Sequence, residues 1–456
     1  MKRELDLGKD SIWPLTFKLC IPTCLAQAVM VLYSVVDRMF IGHIASVGDI
    51  ALAGVGVAAP ITTLISSFAV LIGMGGAPIM AMRAGNGEKD KAEEVLGNAL
   101  KLLLIFSLIL TPLFYLIRTP LLSFFGASAK TLPFADQYLF YYLMGTPFAF
   151  LSTGLNSYLI NQGQTGKAMT SVLTGAVFNI ILDPIFIFTL NMGVKGGAIA
   201  TVISQIASTI LTITFLRMNS TVIKLKNVSL DKKLTTRIFK LGFSPFIIIS
   251  TDSLLLIILN TMLQRYGGEG MGDTLITCAT IIQSCHLMVM NPLGGITGGG
   301  QGLVSFNYGA GDSIRVTKAF HSVQILATLY TVAVFIFIWT GGKLFIRLFT
   351  EDQEIITLTF RYLKLFTLMI IPLSFQYNNV DTFTALGQVR LALPLSLFRK
   401  SIFLVGCIIY PMLWGAEAAF LSEPVCDLIS GILSTYCMIH FLPKILKERE
   451  VRGLNL

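Results

Sequence analysis

Residues 51–82 read ALAGVGVAAPITTLISSFAVLIGMGGAPIMAM, 32 residues without one charged side chain. A helix needs about 20 apolar residues to cross the hydrocarbon core of a bilayer. Just upstream, YSVVDRMFIG (33–42) closes a second apolar run, yet it carries Asp37 and Arg38 side by side. The longer stretch decides the fold class. The shorter one raises the question of what an acid does at such depth.

The whole chain repeats the pattern. It is 54% hydrophobic and 13% charged, about half the charged share of a soluble domain, with a mean hydropathy of +0.74. Apolar segments recur near 14–42, 50–82, 93–117, 132–160, 167–190, 195–216, 238–264, 274–306, 318–340, 358–386, 390–413 and 416–442. They predict an all-α polytopic membrane protein of about 12 transmembrane helices. A transmembrane β-barrel would show alternating segments of about 10 residues instead. The start, MKRELDLGKDSIWPLTFKLC, has the charge of a signal peptide but no small-residue cleavage site follows. Its apolar run is also too long for a signal core, so it reads as the first span.

Loops on the N-terminal side carry several times more Lys and Arg than those opposite, the largest group of them in RMNSTVIKLKNVSLDKKLTTRIFK (217–240). The positive-inside rule then puts both termini in the cytoplasm, and the expected location is the plasma membrane. Topology accounts for the +9 net charge, and no nucleic acid partner is expected. Contact of the basic linker with anionic lipid is compatible with this reading. The seven cysteines lie within apolar segments and read as small buried hydrophobes. Neither CxxC nor HExxH occurs, the four histidines are scattered, and no GxxxxGK[ST] loop exists. An enzyme, a structural metal site, a cofactor and ATP as energy source are therefore not expected.

The chain also repeats itself. FKLCIP (17–22) aligns with FKLGFS (239–244), RAGNGEKDKA (83–92) with YGAGDSIRVT (308–317), and LINQGQTGKA (159–168) with FTALGQVRLA (383–392). Six spans precede the basic linker and six follow it. An even number per unit makes them parallel repeats, with substrate sites expected between them. The expected organisation is a six-helix lobe at 1–216, a basic linker at 217–237, a second six-helix lobe at 238–442 and a basic tail at 443–456. A monomer is expected.

Four motifs in this order resemble the MATE family of multidrug and toxic compound extrusion transporters, over nearly the whole chain. They are VVDRMFIGHIASVGDIALAGVGVAAPI (35–61), FNIILDPIFIF (178–188), GGAIATVIS (196–204) and GQGLVSFNYGAGD (300–312). The last is similar to the MepA-like bacterial branch. The resemblance implies a V-shaped bundle that alternates between inward- and outward-open states. It implies export of cationic or amphiphilic compounds in exchange for H⁺ or Na⁺. A lipid-linked oligosaccharide flippase of the same superfamily is the alternative. That reading asks for a basic cavity, whereas the ionisable residues inside the first half are mainly acids.

The residues themselves set out the candidate site. A carboxylate at membrane depth costs at least about 2.5–3.5 kcal/mol, so Asp37 should face the bundle interior. Compensation by Arg38, or Arg38 snorkelling to the interface, is the competing reading. Asn179 and Asp183 are four apart and share one helix face. Pro184 follows and frees the carbonyl of Ile180. Acid, amide and carbonyl together suit a hard cation such as Na⁺, at Asp37, Asn179 and Asp183. Helix-to-helix hydrogen bonding is the plainer reading of Asn179. The resemblance adds Asn156 and Thr201 to this oxygen-rich set, while Thr201 alone reads as a packing residue. In the second half the equivalents of Asp37 and Asp183 are Leu259 and Cys407, which makes the coupling chemistry asymmetric. Asp252 and Asp381 are the candidate substrate contacts there, beside Asp37 itself. Glu417 and Glu423 read as interfacial, and Arg399 and Lys400 as snorkelling or paired. Pro22, 15 residues before Asp37, is the candidate hinge of the first helix, with Pro184 a second. The 17 Met and 32 Phe suit an adaptable pocket, although lipid contact and packing account for most of them.

Overall fold

The computed structural model describes residues 6–44, 47–125, 127, 130–218, 221–268, 271–349 and 352–452. The first five residues and the last four of the expected basic tail lie outside this set. The helices are α1 (Ile12–Gly42), α2 (Gly48–Gly85), α3 (Lys89–Phe124), α4 (Leu132–Met144), α5 (Thr146–Asn161), α6 (Thr165–Pro184) and α7 (Val194–Arg217). They continue as α8 (Lys232–Gly267), α9 (Met271–Ala310), α10 (Ser313–Ile346), α11 (Gln353–Phe366), α12 (Ile370–Ala385), α13 (Val389–Trp414) and α14 (Ser422–Arg452). A π-helical turn, Ile185–Thr189, follows α6, and a 3-10 turn, Ala416–Leu421, precedes α14.

Two of the expected single spans are broken. The 132–160 segment divides at Gly145, where α7 packs so closely that a Cβ would sit 2.7 Å from Val202 and 2.8 Å from Gln205. The 358–386 segment is the pair α11–α12, bent by 47°. Among the described residues nine helices are long and apolar enough to cross a membrane, or ten if α11–α12 is one span. The α4–α5 pair and α8 complete twelve. Large apolar side chains cover the outside, such as Leu108, Leu116, Leu329 and Ile432. Water would not tolerate such a continuous surface, and lipid does.

Several helices contain proline, and at two of them the lost backbone bond has a visible replacement. Pro22 leaves the carbonyl of Lys18 without its helical donor. The hydroxyl of Thr165, at the start of α6, donates to that carbonyl at 3.1 Å. Pro292 similarly frees the carbonyl of Met288, which accepts from Tyr330 at 3.4 Å. α1 thus stays one helix through Pro22. Thr165 is fully buried, so Thr165→Val should orphan a buried carbonyl at a cost of about 1–3 kcal/mol. Thermal unfolding of the purified protein would show it, and Thr165→Ser should restore stability.

The two halves interlock through α1 and α8. The early part of α1 (Leu15, Leu19) packs with Leu303, Val316 and Phe383 of the second half, while Ile41 at its far end packs in the first half. α8 does the converse. Ile238 and Leu241 join the core of the first half, and Leu259 and Leu263 that of the second. Missing side chains permit these crossings. A Cβ on Gly242 would lie 1.8 Å from the carbonyl oxygen of Leu71, and one on Gly295 2.7 Å from that of Thr23.

The chain between α7 and α8 is a docked strap. Gln162 accepts from the amide of Ile223 at 3.3 Å, and Glu93 from that of Lys224 at 3.2 Å. Asn98 accepts from the amide of Asp231 at 2.8 Å and donates to the carbonyl of Ser229 at 3.3 Å. The buried Glu93 also pairs with Lys226. Glu93, with Asp90 beside it, pushes the Lys226 ammonium above its usual range. α7 extends to Arg217 and α8 begins at Lys232, capped by Asp231, so the irregular stretch is shorter than the expected linker.

Strap, N-terminal segment and C-terminal helix end all lie at one end of the bundle. Arg315 donates to the carbonyls of Leu7 and Asp10, both at 2.9 Å. Arg449 donates to the carbonyl of Tyr308 at 3.0 Å and to Asn86 at 3.1 Å. Here α2 and α9 touch backbone to backbone. A Cβ on Gly85 would lie 1.8 Å from the oxygen of Phe306, and one on Gly309 2.0 Å from that of Met82. This end is shut.

Candidate functional site

α1, α6 and α7 bring their polar residues together inside the first half. Asp37 is 8% exposed, Asn179 1% and Asp183 0%. Arg38 is exposed, because adjacent residues sit roughly 100° apart on a helix. The arginine therefore points away from the acid beside it. Asn179 donates from Nδ2 to Asp183 Oδ1 at 3.2 Å and to Thr201 Oγ1 at 3.4 Å. Thr201 in turn donates to the carbonyl of Gly197 at 3.0 Å. Gly197 also admits Asp37, since a Cβ there would stand 3.4 Å from Asp37 Oδ1. The neighbouring Gly196 lets α7 close on the π-helical turn after Pro184, where a Cβ would meet the Phe186 backbone at 2.7 Å.

The carboxyl groups of Asp37 and Asp183 interact directly. Two carboxylates in contact cannot both stay ionised without a cation between them. Three buried oxygens in this cluster, Asp37 Oδ1, Asp183 Oδ2 and Asn179 Oδ1, have no hydrogen-bond donor among the described residues. All three are acceptors. What the cluster lacks is positive charge, as a proton or as a hard cation with oxygen ligands.

The other expected residues are distributed differently. Asn156 accepts from Ser171 at 3.3 Å, and that bond lies about 12 Å along α6 from Asn179. Asp252 pairs with Lys400. Asp381 is held by the side chains of Thr297 and Gln301 of α9. Both therefore have partners within the second half. Glu423 is not interfacial. It is 5% exposed and bonded to Arg399 at 2.5 Å. Three tyrosines escaped the sequence reading. Tyr33 and Tyr138 are close enough to feel both acids, and Tyr142 stacks on Tyr138 with centroids 6.2 Å apart. The spacing of Tyr138 and Tyr142, four apart on α4, was the available signal.

Two buried acids on α1 and α6, with Thr201 of α7 beside them, are a functional-site signature inside a membrane bundle, and they define a candidate membrane transporter. Comparison with known proteins agrees on the architecture. The MatE family model matches residues 22–185 and 247–409, and the chain belongs to that family. The multidrug export protein MepA of Staphylococcus haemolyticus (strain JCSC1435) is 24% identical over 433 residues, covering 94% of this chain and 93% of that one. MepA of Staphylococcus aureus (strain NCTC 8325 / PS 47) is 25% identical over 424 residues, covering 90% and 89%. Among solved structures, the outward-facing conformation of a multidrug resistance MATE family transporter of the MOP superfamily superposes with a TM-score of 0.90. It is 21% identical and the match covers 97% of this chain and 98% of that one. A MOP superfamily transporter from Pyrococcus furiosus, described as having reversed binding-pocket polarity, superposes at 0.89 with 21% identity, covering 96% and 98%.

Proposed function

We propose that this protein is a secondary active multidrug exporter of the plasma membrane. It expels cationic or amphiphilic compounds in exchange for H⁺ or Na⁺. The observation that carries the reading is the contact between Asp37 and Asp183, beside three buried acceptor oxygens that lack donors. That cluster needs one cation, and a proton, a sodium ion or a cationic substrate can each supply the charge. Antiport is then competition: occupancy by the coupling ion lowers affinity for the drug, and the reverse holds by the same factor. The names of the MepA relatives support the substrate class. The acidic cluster argues against a flippase for lipid-linked oligosaccharides, whose pyrophosphate asks for basic side chains.

The two six-span halves serve as the moving lobes, with the first carrying the coupling chemistry. Both termini and the strap lie on the cytoplasmic side, in accord with their basic charge. In that orientation the shut end faces the cytoplasm. The protein works as a monomer, in contact with anionic lipid, and needs no bound cofactor beyond the coupling ion. The test is transport of a cationic dye in proteoliposomes with pH and Na⁺ gradients imposed separately and no ATP. Uphill dye movement driven by either gradient is expected. Dye movement indifferent to both gradients would overturn the reading.

A further inference from the structure

The second half has a charge cluster that export through Asp37 and Asp183 does not use. It lies at the seam of α13 and α14, which repeat α6 and α7. At an offset of 222 residues Glu423 stands where Thr201 stands in the first half. Arg399 Nη2 donates to Glu423 Oε1 at 2.5 Å and to Asp427 Oδ1 at 2.9 Å, and its Nε reaches Asp427 Oδ1 at 3.3 Å. From α9, His286 Nε2 approaches Glu423 Oε1 at 3.3 Å. The other ring nitrogen of His286 is buried with no partner among the described residues. Arg399, Glu423 and Asp427 are themselves 8%, 5% and 1% exposed.

The charges do not balance. One guanidinium faces two carboxylates, which leaves one negative charge in a dry interior. Lys400 also acts on both acids, but it is paired with Asp252, so two cations face three carboxylates and a deficit of one positive charge remains. The remaining titratable groups around the cluster are Tyr377 and Asp381 of α12, Cys407 of α13, Cys426 of α14, and Cys285 beside His286. None of them is a cation, and Asp381 can only add to the deficit. An unbalanced buried charge is costly, and a proton removes the imbalance. We propose that the second half holds a second proton-binding site, in which Glu423 and Asp427 share one proton around Arg399, with the His286 ring beside Glu423. Its role as a coupling proton additional to the first-half pair rests on the export reading, whereas its existence does not.

The test uses the full chain in lipid nanodiscs, with Asp37→Asn and Asp183→Asn silencing the first-half acids. Melting temperature is followed from about pH 6 to about pH 9. Above about pH 7 an unfolded chain holds no proton on its histidines or carboxylates. The native cluster holds one. The folded state therefore binds more protons, and stability should fall as pH rises until the proton leaves. Asp427→Asn should flatten that dependence, because Arg399 and Glu423 then balance alone. Glu423→Gln should do the same through Asp427. A flat profile in the silenced background, or a slope unchanged by both substitutions, overturns the proposal. Neither result depends on whether the first half couples export.

Discussion

Asp37→Asn is expected to abolish ion-coupled export while leaving insertion and folding intact, and Asp183→Asn should do nearly the same. Each removes one member of a carboxylate pair whose contact creates the need for a cation. Without the pair, one carboxyl remains and can stay neutral in its buried site, so the repulsion that makes a bound cation necessary is lost and the cluster distinguishes an ion-bound from a drug-bound form far less. Coupling free energies of about 1–3 kcal/mol correspond to roughly 5–150-fold differences in affinity, so efflux at equal expression should fall by at least about fivefold. Asn179→Ala should cost less, since it deletes a neutral ligand and the two bonds Asn179 makes to Asp183 and Thr201. Leu259→Ala, at the position equivalent to Asp37, should leave the coupling ratio unchanged even where the emptied core lowers the yield. Full drug resistance in cells expressing Asp37→Asn would refute the assignment.

The second large effect concerns the shut end. Gly85→Val or Gly309→Val places a side chain where the facing carbonyl oxygen leaves 1.8 or 2.0 Å. The obstacle is backbone, so no rotamer change relieves it and α2 and α9 must separate. Overpacking of this kind costs about 1–3 kcal/mol. Charged against one conformation only, that shifts a two-state equilibrium by roughly 5–150-fold. Spin labels on the strap-side ends of α2 and α9 should therefore report a longer distance and a population moved away from the shut form. Transport should slow, because the cycle now resists one of its states. An unchanged distance distribution would mean that this contact does not gate anything. Arg449→Gln, which loosens the bonds to Tyr308 and Asn86 without adding bulk, should shift the population the same way by less.

Much of this was legible from residues alone, for identifiable reasons. Uninterrupted apolar length announces a span regardless of its neighbours, so the polytopic class followed from 51–82 and its counterparts. The shared face of Asn179 and Asp183 follows from helical periodicity, and the structure joins them at 3.2 Å. The buried placement of Asp37 follows from the cost of an exposed acid in lipid. What escaped depends on partners distant in sequence. The break at Gly145 had a local sign in Pro147, which opens α5, whereas the need for glycine there comes from the approach of Val202 and Gln205. The bond from Thr165 to the Lys18 carbonyl joins residues 147 apart. Glu423 looked interfacial because it opens a helix, and only the fold reveals Arg399 and His286 around it. The strap looked like solvated linker because its charge was visible and its anchors, Glu93 and Asn98, were hidden in the amphipathic start of α3.

The central claim is that one cation and the drug compete for the Asp37–Asp183 pair. The direct measurement is ion release on binding, with purified protein in lightly buffered solution titrated with a monovalent cationic dye. The wild-type protein should release about one proton per dye bound, or with Na⁺ coupling it should lose dye affinity as Na⁺ is raised. Asp37→Asn should show neither response. Equal proton release and equal Na⁺ sensitivity in Asp37→Asn would contradict the account, because the exchanged cation would then have to sit elsewhere.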